Sequence, residues 1–483
     1  MWRVMCLVVF RLFMPKNFRF LLRIILGFVL FFVMFKYSYF FSSMLLKTSV
    51  FKMDSLAYYF IFLTLLLFMF VIILEIQIGL KLFFFLKILL LVVLVMFFSS
   101  VQALYFYVFF EASFIFMFMI IMMWGYKPER IEALKYFMIY SLVGSLPLLR
   151  SIVIGRDSLR GMGFLSWGWT HFVRESITHL DKICLDYRVD ELKEGFFRWD
   201  GDGTNLVNLF YGFSIPHFFW ILVFLFKFPV FGLHLWLPKA HVESPVYGSM
   251  LLAGIMIKLG VIGIFRLNYR GIFFYYSWSM VNNFFFYFRV GLIVIKLICR
   301  RQFDLKSYVA YSSIVHMSLI VIRIWAGSYM VLVGAVMMRF AHGLCSSALF
   351  LNFKNFYLIR KTRKIFLNRG YMYLFSRFCF LWFLLCILNC SVPLSLSFFS
   401  EIILIFSGVS FKIVRVLVFL LKVFICGCYC ILLYLSVSHG KRKIGLRSNS
   451  FSVWIYIKML LLWYHFFIVY FYVIFFDVFG GLA

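Results

Sequence analysis

Long apolar runs separated by short basic or turn-rich joints dominate this chain. A helix needs about 20 apolar residues to cross roughly 30 Å of hydrocarbon. Candidate spans are Leu21–Phe41, Leu56–Leu74, Phe83–Phe98, Leu104–Met123, Ala133–Ile154, Ile215–Leu237, Tyr247–Leu267, Phe284–Ile298, Tyr308–Trp325, Tyr329–Leu351, Leu374–Leu394, Phe398–Val409, Val414–Val437 and Trp454–Phe476. The pattern predicts an all-α polytopic membrane protein with about fourteen transmembrane helices. Met1–Met14 is left out because Arg3 and Arg11 interrupt it. No cleaved leader is expected, since Cys6–Met14 runs straight into the next apolar stretch without a small-residue cleavage site. One polar segment, Arg156–Gly203, breaks the series and is expected outside the bilayer. Its Asp200-Gly-Asp-Gly203 resembles the start of a calcium loop, but Asn205 and Tyr211 stand where that loop needs glycine and glutamate. A glycine-rich turn is the better reading.

Composition sharpens this picture. With 65% hydrophobic and 14% charged residues over 483 positions, the chain is far too apolar for a water-soluble core. Its net charge of +30 would suggest nucleic acid in a soluble domain, but no basic stripe lies on a polar helix. The bases sit in the joints, including Arg360–Lys364 and Lys441–Arg447, where they meet anionic headgroups. The 18 acids are more informative. Half of them fall in the polar segment, and only Glu111 and Glu401 lie well inside membrane-length sequence. Cys426, Cys428 and Cys430 look like a cluster, but residues two apart point to opposite sides of a helix, which argues for packing rather than iron–sulfur ligation.

Ionisable groups inside a membrane are expensive, so each needs an explanation. Glu111 requires a partner, internal water or a proton. Lys227 precedes Pro229, which removes a backbone donor and predicts a broken helix of the kind that lines ion pathways. Lys258 lies between Gly254 and Gly260, which leave room for close helix contact. His316 has Ser312 and Ser313 on its face and His342 has Ser346, hydroxyls expected to orient the imidazoles or hold water. Glu401 follows Pro393 within a serine-rich interruption, so a second broken helix is predicted there. Carboxylate, lysines, histidines and carboxylate can pass protons, because the charge of one alters the proton affinity of the next. His234, His241 and Glu243 have no metal-site spacing and are expected in an interfacial turn; no metal site, nucleotide loop or nucleophile triad is expected.

The stretch Phe231-Gly-Leu-His-Leu-Trp-Leu-Pro-Lys-Ala-His-Val-Glu-Ser-Pro245, with Gly248-Ser-Met250 and Lys258-Leu-Gly260, resembles the antiporter-like membrane subunits of respiratory complex I. Trp124–Arg130, Leu142–Leu149, Asp304–Ser307 with Ala310–Met317, and Ala341–Ser347 agree, so the likeness covers most of Glu111–Glu401. It implies a proton channel of two inverted five-helix repeats, each with a broken helix, near Pro229 and Pro393. By motif, Glu111 is the charged partner of Lys227, Lys258 is central, His316 and His342 line the hydrophilic axis, and Glu401 is the terminal carboxylate. The implied organisation is 1-100 N-terminal helices, 101-267 a first half containing the insert 156-203, 268-412 a second half, and 413-483 C-terminal helices. The resemblance implies no cofactor in this chain, with NADH, FMN, iron–sulfur clusters and ubiquinone in partner subunits. It also implies the mitochondrial inner membrane, neighbouring antiporter-like chains and other membrane-arm subunits as partners, and lipids with cardiolipin a candidate. A related cation/proton antiporter or membrane-hydrogenase subunit is the alternative, against which Trp236-Leu-Pro-Lys-Ala-His241 argues; a structural scaffold is the other. Two features depart from the family: the long acidic insert, and Arg339 beside Ala341-His-Gly343, which either disturbs the axis or faces a neighbouring subunit.

Overall fold

A computed structural model of the chain describes residues 51, 55–74, 81–100, 102–157, 223–268, 278–324, 329–373, 375–406, 413–440 and 453–474. The candidate span Leu21–Phe41, the segment Arg156–Gly203 beyond Asp157, and the first part of Ile215–Leu237 lie outside the described residues.

The apolar runs become helices: α1 (Ser55–Leu74), α2 (Lys81–Ser99), α3 (Ala103–Trp124) and α4 (Arg130–Asp157), then α5 (Trp236–Glu243), α6 (Val246–Leu251) and α7 (Ile257–Asn268). After them come α8 (Trp278–Arg300), α9 (Leu305–Ile324), α10 (Tyr329–Arg360), α11 (Ser376–Asn389), α12 (Leu396–Phe406), α13 (Ile413–Ser438) and α14 (Val453–Ile474). No strand occurs among the described residues, which pair only in isolated bridges such as Phe51 with Ser100. Helix is the form in which a membrane segment satisfies all its own backbone groups. Six helical stretches among the described residues are long and apolar enough to cross a bilayer.

The 32-residue α10 is the spine, packed against α1, α6, α9, α11, α12 and α14. Its small residues permit this. A Cβ on Gly343 would lie 3.1 Å from Leu63 on α1 and 3.3 Å from the Gly254 carbonyl. The apolar residues are distributed as in a protein solvated by lipid. Val108, Ile115 and Met122 on α3, and Ile139, Val143 and Leu146 on α4, are exposed, whereas Lys258, Lys296 and Arg339 are fully buried. Polar groups thus face the interior, where other polar groups can meet them.

Both predicted breaks are present. The first ends a helical stretch at 223–227 and leaves a turn before α5. The Phe226 carbonyl, which has no helical donor beyond Pro229, accepts from the Trp236 indole Nε1 at 3.1 Å. The second break separates α11 from α12. Ser391 and Leu394 adopt positive φ (59° and 72°), a left-handed backbone that is costly away from glycine. Ser395 steadies it by accepting from the Phe398 N–H at 3.3 Å, and the Ser397 hydroxyl donates to the Leu388 carbonyl at 3.1 Å. A third irregularity has no counterpart in the sequence reading: a π-turn at Leu252–Met256 joins α6 to α7 immediately before Lys258.

A buried file of ionisable side chains

At the first break, Lys227 and Glu111 meet, with Nζ to Oε1 at 3.4 Å. The lysine is almost wholly enclosed and its ammonium also sits 3.2 Å over the Phe114 ring and 4.6 Å from that of Phe110. The aromatic faces supply the negative potential that water would otherwise give. Gly260 on α7 explains how the next helix approaches. A Cβ there would lie 3.0 Å from the Phe224 carbonyl and 3.2 Å from the Phe228 amide, backbone atoms that cannot yield.

Lys258 lies one residue after the start of α7, and its ammonium donates to the Ala253 carbonyl of the π-turn. A π-turn departs from the i→i−4 register, and here the lysine side chain bonds one of its carbonyls. A Cβ on Gly343 would stand 3.3 Å from Lys258 Nζ, so α10 passes the lysine at the residue following His342. Lys258 is within electrostatic reach of His342.

The imidazoles of His342 and His316 lie 5.6 Å apart between ring centres. His316 Nδ1 is 3.3 Å from Glu401 Oε1, both groups being buried. His316 Nε2 lies 3.0 Å from the Asn389 carbonyl oxygen. That carbonyl is the one Pro393 leaves without its helical donor, so the break itself supplies the acceptor that holds the ring. A carbonyl only accepts, so Nε2 carries a proton and Nδ1 is the atom facing the carboxylate.

Two expectations need correction here. The Ser312 and Ser313 hydroxyls do not orient His316; they donate to the Val309 and Ala310 carbonyls of their own helix at 2.8 and 2.6 Å. A serine hydroxyl in a helix commonly bonds a carbonyl of the preceding turn in this way. His241 and Glu243 do not lie in an interfacial turn but are buried on α5. His241 stacks on Phe350 at 4.9 Å and is within electrostatic reach of Lys258 and His342. Glu243 pairs with Arg363 at 3.2 Å. The cations Lys306 and Arg363 reach the last carbonyls of α5, with Lys306 donating to Ser244 O at 2.8 Å and Arg363 to Val242 O at 2.8 Å. Cations at a helix C-terminus satisfy open carbonyls and complement the helix dipole. Only the contrast between these basic residues and their apolar surroundings could have signalled this.

Arg339 faces no neighbour. It is fully buried, its Nε donates to Ala335 O at 3.0 Å, and its guanidinium lies 3.9 Å from the Phe265 ring centre. Among the described residues its two terminal nitrogens find no hydrogen-bond partner.

A recess of about 250 Å³ is lined by Glu129, Glu132, Lys239, Glu243 and Ser307 together with the apolar Pro238 and Val242. Lys239 and Glu132 pair at 3.0 Å there, and the hydrogen bond to Glu132 raises the lysine pKa.

Two broken helices with a buried run of carboxylates, lysines and histidines define a membrane protein of the ion-translocating, antiporter-like class. Residues 100–426 match the family described as NADH:quinone oxidoreductase/Mrp antiporter, transmembrane region, and the chain belongs to that family. It is 36% identical over 344 residues to the NADH-ubiquinone oxidoreductase chain 4 of Artemia franciscana, covering 71% of this chain and 77% of that one. Over 352 residues it is 35% identical to the protein of the same name from Lumbricus terrestris, covering 71% and 68%. Among solved structures, a chain of respiratory complex I from Thermus thermophilus with bound NADH superposes with a TM-score of 0.75 at 20% identity, covering 99% of this chain and 98% of that chain. A chain of the archaeal membrane-bound sulfane sulfur reductase superposes with a TM-score of 0.74 at 16% identity, covering 99% and 95%.

Proposed function

We infer that this chain is a proton-translocating membrane-arm subunit of an NADH:ubiquinone oxidoreductase. Its route runs from Glu111 and Lys227 through Lys258 and His342 to His316 and Glu401. His241 joins the route beside Lys258. The observation that carries the reading is the pairing of both chain breaks with titratable contacts: Lys227–Glu111 at 3.4 Å beside one and His316–Glu401 at 3.3 Å beside the other.

The chemistry follows from these contacts. A proton on Glu401 or on His316 Nδ1 needs little movement to transfer between them, because Nε2 keeps its own proton on the Asn389 carbonyl. Charging His316 repels charge on His342, and charging Lys258 acts on His342 in the same sense. At the far end, the carboxylate of Glu111 stabilises the ammonium of Lys227, and loss of that contact would release a proton toward Lys258. Water between these groups completes the route.

On this reading the chain comprises about fourteen spans in two inverted five-helix halves, 101-267 and 268-412, within the mitochondrial inner membrane. Oxidation of NADH and reduction of ubiquinone belong to partner subunits, and this chain carries no redox centre of its own. The test is NADH-driven proton uptake by the assembled complex in vesicles with Glu401→Gln. Uptake should collapse while the complex remains assembled; wild-type uptake would remove Glu401 from the route.

A further inference from the structure

Among the described residues, the proposed proton route leaves one cluster of three thiol side chains unused. Cys390, at the edge of the second break, lies with Cys426 and Cys430 of α13, and the three Sγ atoms fall within 4.8 Å of one another. Cys426 and Cys430 are one turn apart and therefore share a face, while Cys428 is not in the cluster. The spacing along α13 conceals the site because its third member comes from the residue that follows α11.

The geometry and charge select an ion. A tetrahedral zinc with Zn–S bonds of about 2.3 Å holds its sulfurs about 3.8 Å apart, so closing on an ion requires a contraction of at most about 1 Å. Three thiolates and a divalent cation leave one surplus negative charge. Lys296, fully buried and within electrostatic reach of Cys426, offsets it. A monovalent ion would leave a larger excess. Hard cations such as magnesium and calcium prefer oxygen. Cys390 is partly exposed and gives entry, while Cys426 and Cys430 are buried. The Asn389 amide Nδ2 donates to Cys430 Sγ at 3.7 Å, a contact that would stabilise a thiolate there, and the fourth position is left to water.

We propose that Cys390, Cys426 and Cys430 form a binding site for a thiophilic divalent cation of the zinc class. On binding, three S–H bonds break, three metal–sulfur bonds form and three protons leave to solvent, with no change of oxidation state. The ion ties the second break to α13 beside Asn389, whose carbonyl holds His316. Zinc therefore immobilises that break and inhibits proton transport, a consequence that rests on the proposed role of His316 and Glu401.

The experiment uses the purified, thiol-reduced complex equilibrated with buffered free Zn²⁺. Wild type should hold one more zinc equivalent than Cys390→Ser/Cys430→Ser, with a sulfur shell of three at the zinc absorption edge. Cys428→Ser should bind like wild type, and excess Mg²⁺ should not displace the ion. In the unaltered complex, Zn²⁺ should slow alkylation of Cys390 by N-ethylmaleimide at least tenfold, read by mass spectrometry; this arm needs no variant to assemble. Equal zinc content in wild type and the double variant, or equal alkylation with and without Zn²⁺, overturns the site. Zinc bound with proton transport unchanged overturns the inhibitory role alone. These binding readouts do not depend on the transport route, so the two readings fail separately.

Discussion

Asn389 and His316, 73 residues apart, are joined because Pro393 cannot donate to the Asn389 carbonyl and His316 Nε2 does so instead, at 3.0 Å. A break in one helix thus sets the tautomer of a histidine on another. Pro393→Ala should restore a competing N–H, loosen the ring and reduce proton transport while electron transfer sites in other subunits stay intact. Transport at wild-type level, measured in vesicles, would show that the imidazole is positioned otherwise.

Glu111 and Lys227 make different demands. The Glu111 side chain is 18% exposed and that of Lys227 only 2%, so loss of the carboxylate strands a buried cation. Breaking a buried pair from one side costs on the order of 3–5 kcal/mol. Glu111→Ala should lower the thermal stability of the complex more than Lys227→Met, which removes the charge and keeps the volume. Both should lose proton transport. A scaffold would keep transport in every variant that assembles.

The sequence reading reached the helical, membrane-spanning character of the described segments and both breaks because hydropathy and proline act locally. Leu56–Leu74 became Ser55–Leu74, and Pro229 and Pro393 interrupt their helices as their chemistry requires. Six of the seven ionisable residues of the proposed route stood out because such groups are rare in apolar sequence. What stayed hidden depends on contacts between distant segments. The π-turn before Lys258 leaves no compositional mark, and the Asn389 carbonyl is invisible in a list of side chains. His241 was misplaced because Lys239 and Glu243 beside it suggested a surface, whereas Lys306 and Arg363 come from elsewhere to cover that helix end.

Gly260 meets backbone rather than side chains, so the neighbouring segment cannot move aside. Gly260→Ala should cost about 1–3 kcal/mol, as overpacking does. It should also separate Lys258 from the first break and slow proton transport. Thermal unfolding of the complex and vesicle acidification measure the two effects; wild-type values in both would contradict the close approach.

Arg339 is buried with two nitrogens that have no hydrogen-bond partner among the described residues, an arrangement that apolar residues of similar volume usually improve. Arg339→Met should leave the complex as stable as wild type or more so in thermal denaturation. Strong destabilisation would mean that the guanidinium has an essential anionic partner.

Lys239 and Glu132 lie at the recess beside α5 and are well exposed, so solvent screens their pair. The raised pKa of Lys239 means its contribution is fully present below its unfolded value and disappears as pH rises through the folded one. Lys239→Ala should therefore leave stability and turnover near wild type at neutral pH. A large loss in either would place Lys239 among the working residues of the recess.

Lys258 is central to the proposed route, being fully buried, bonded to the π-turn carbonyl and close to the spine at Gly343. The most direct test is NADH-driven proton uptake into vesicles by an assembled complex carrying Lys258→Met. A titrating side chain in the path predicts a fall of at least about a hundredfold in this chain's proton transfer, consistent with loss of a positioned acid–base group. Unaltered proton uptake per electron in that variant would contradict conduction through this buried file.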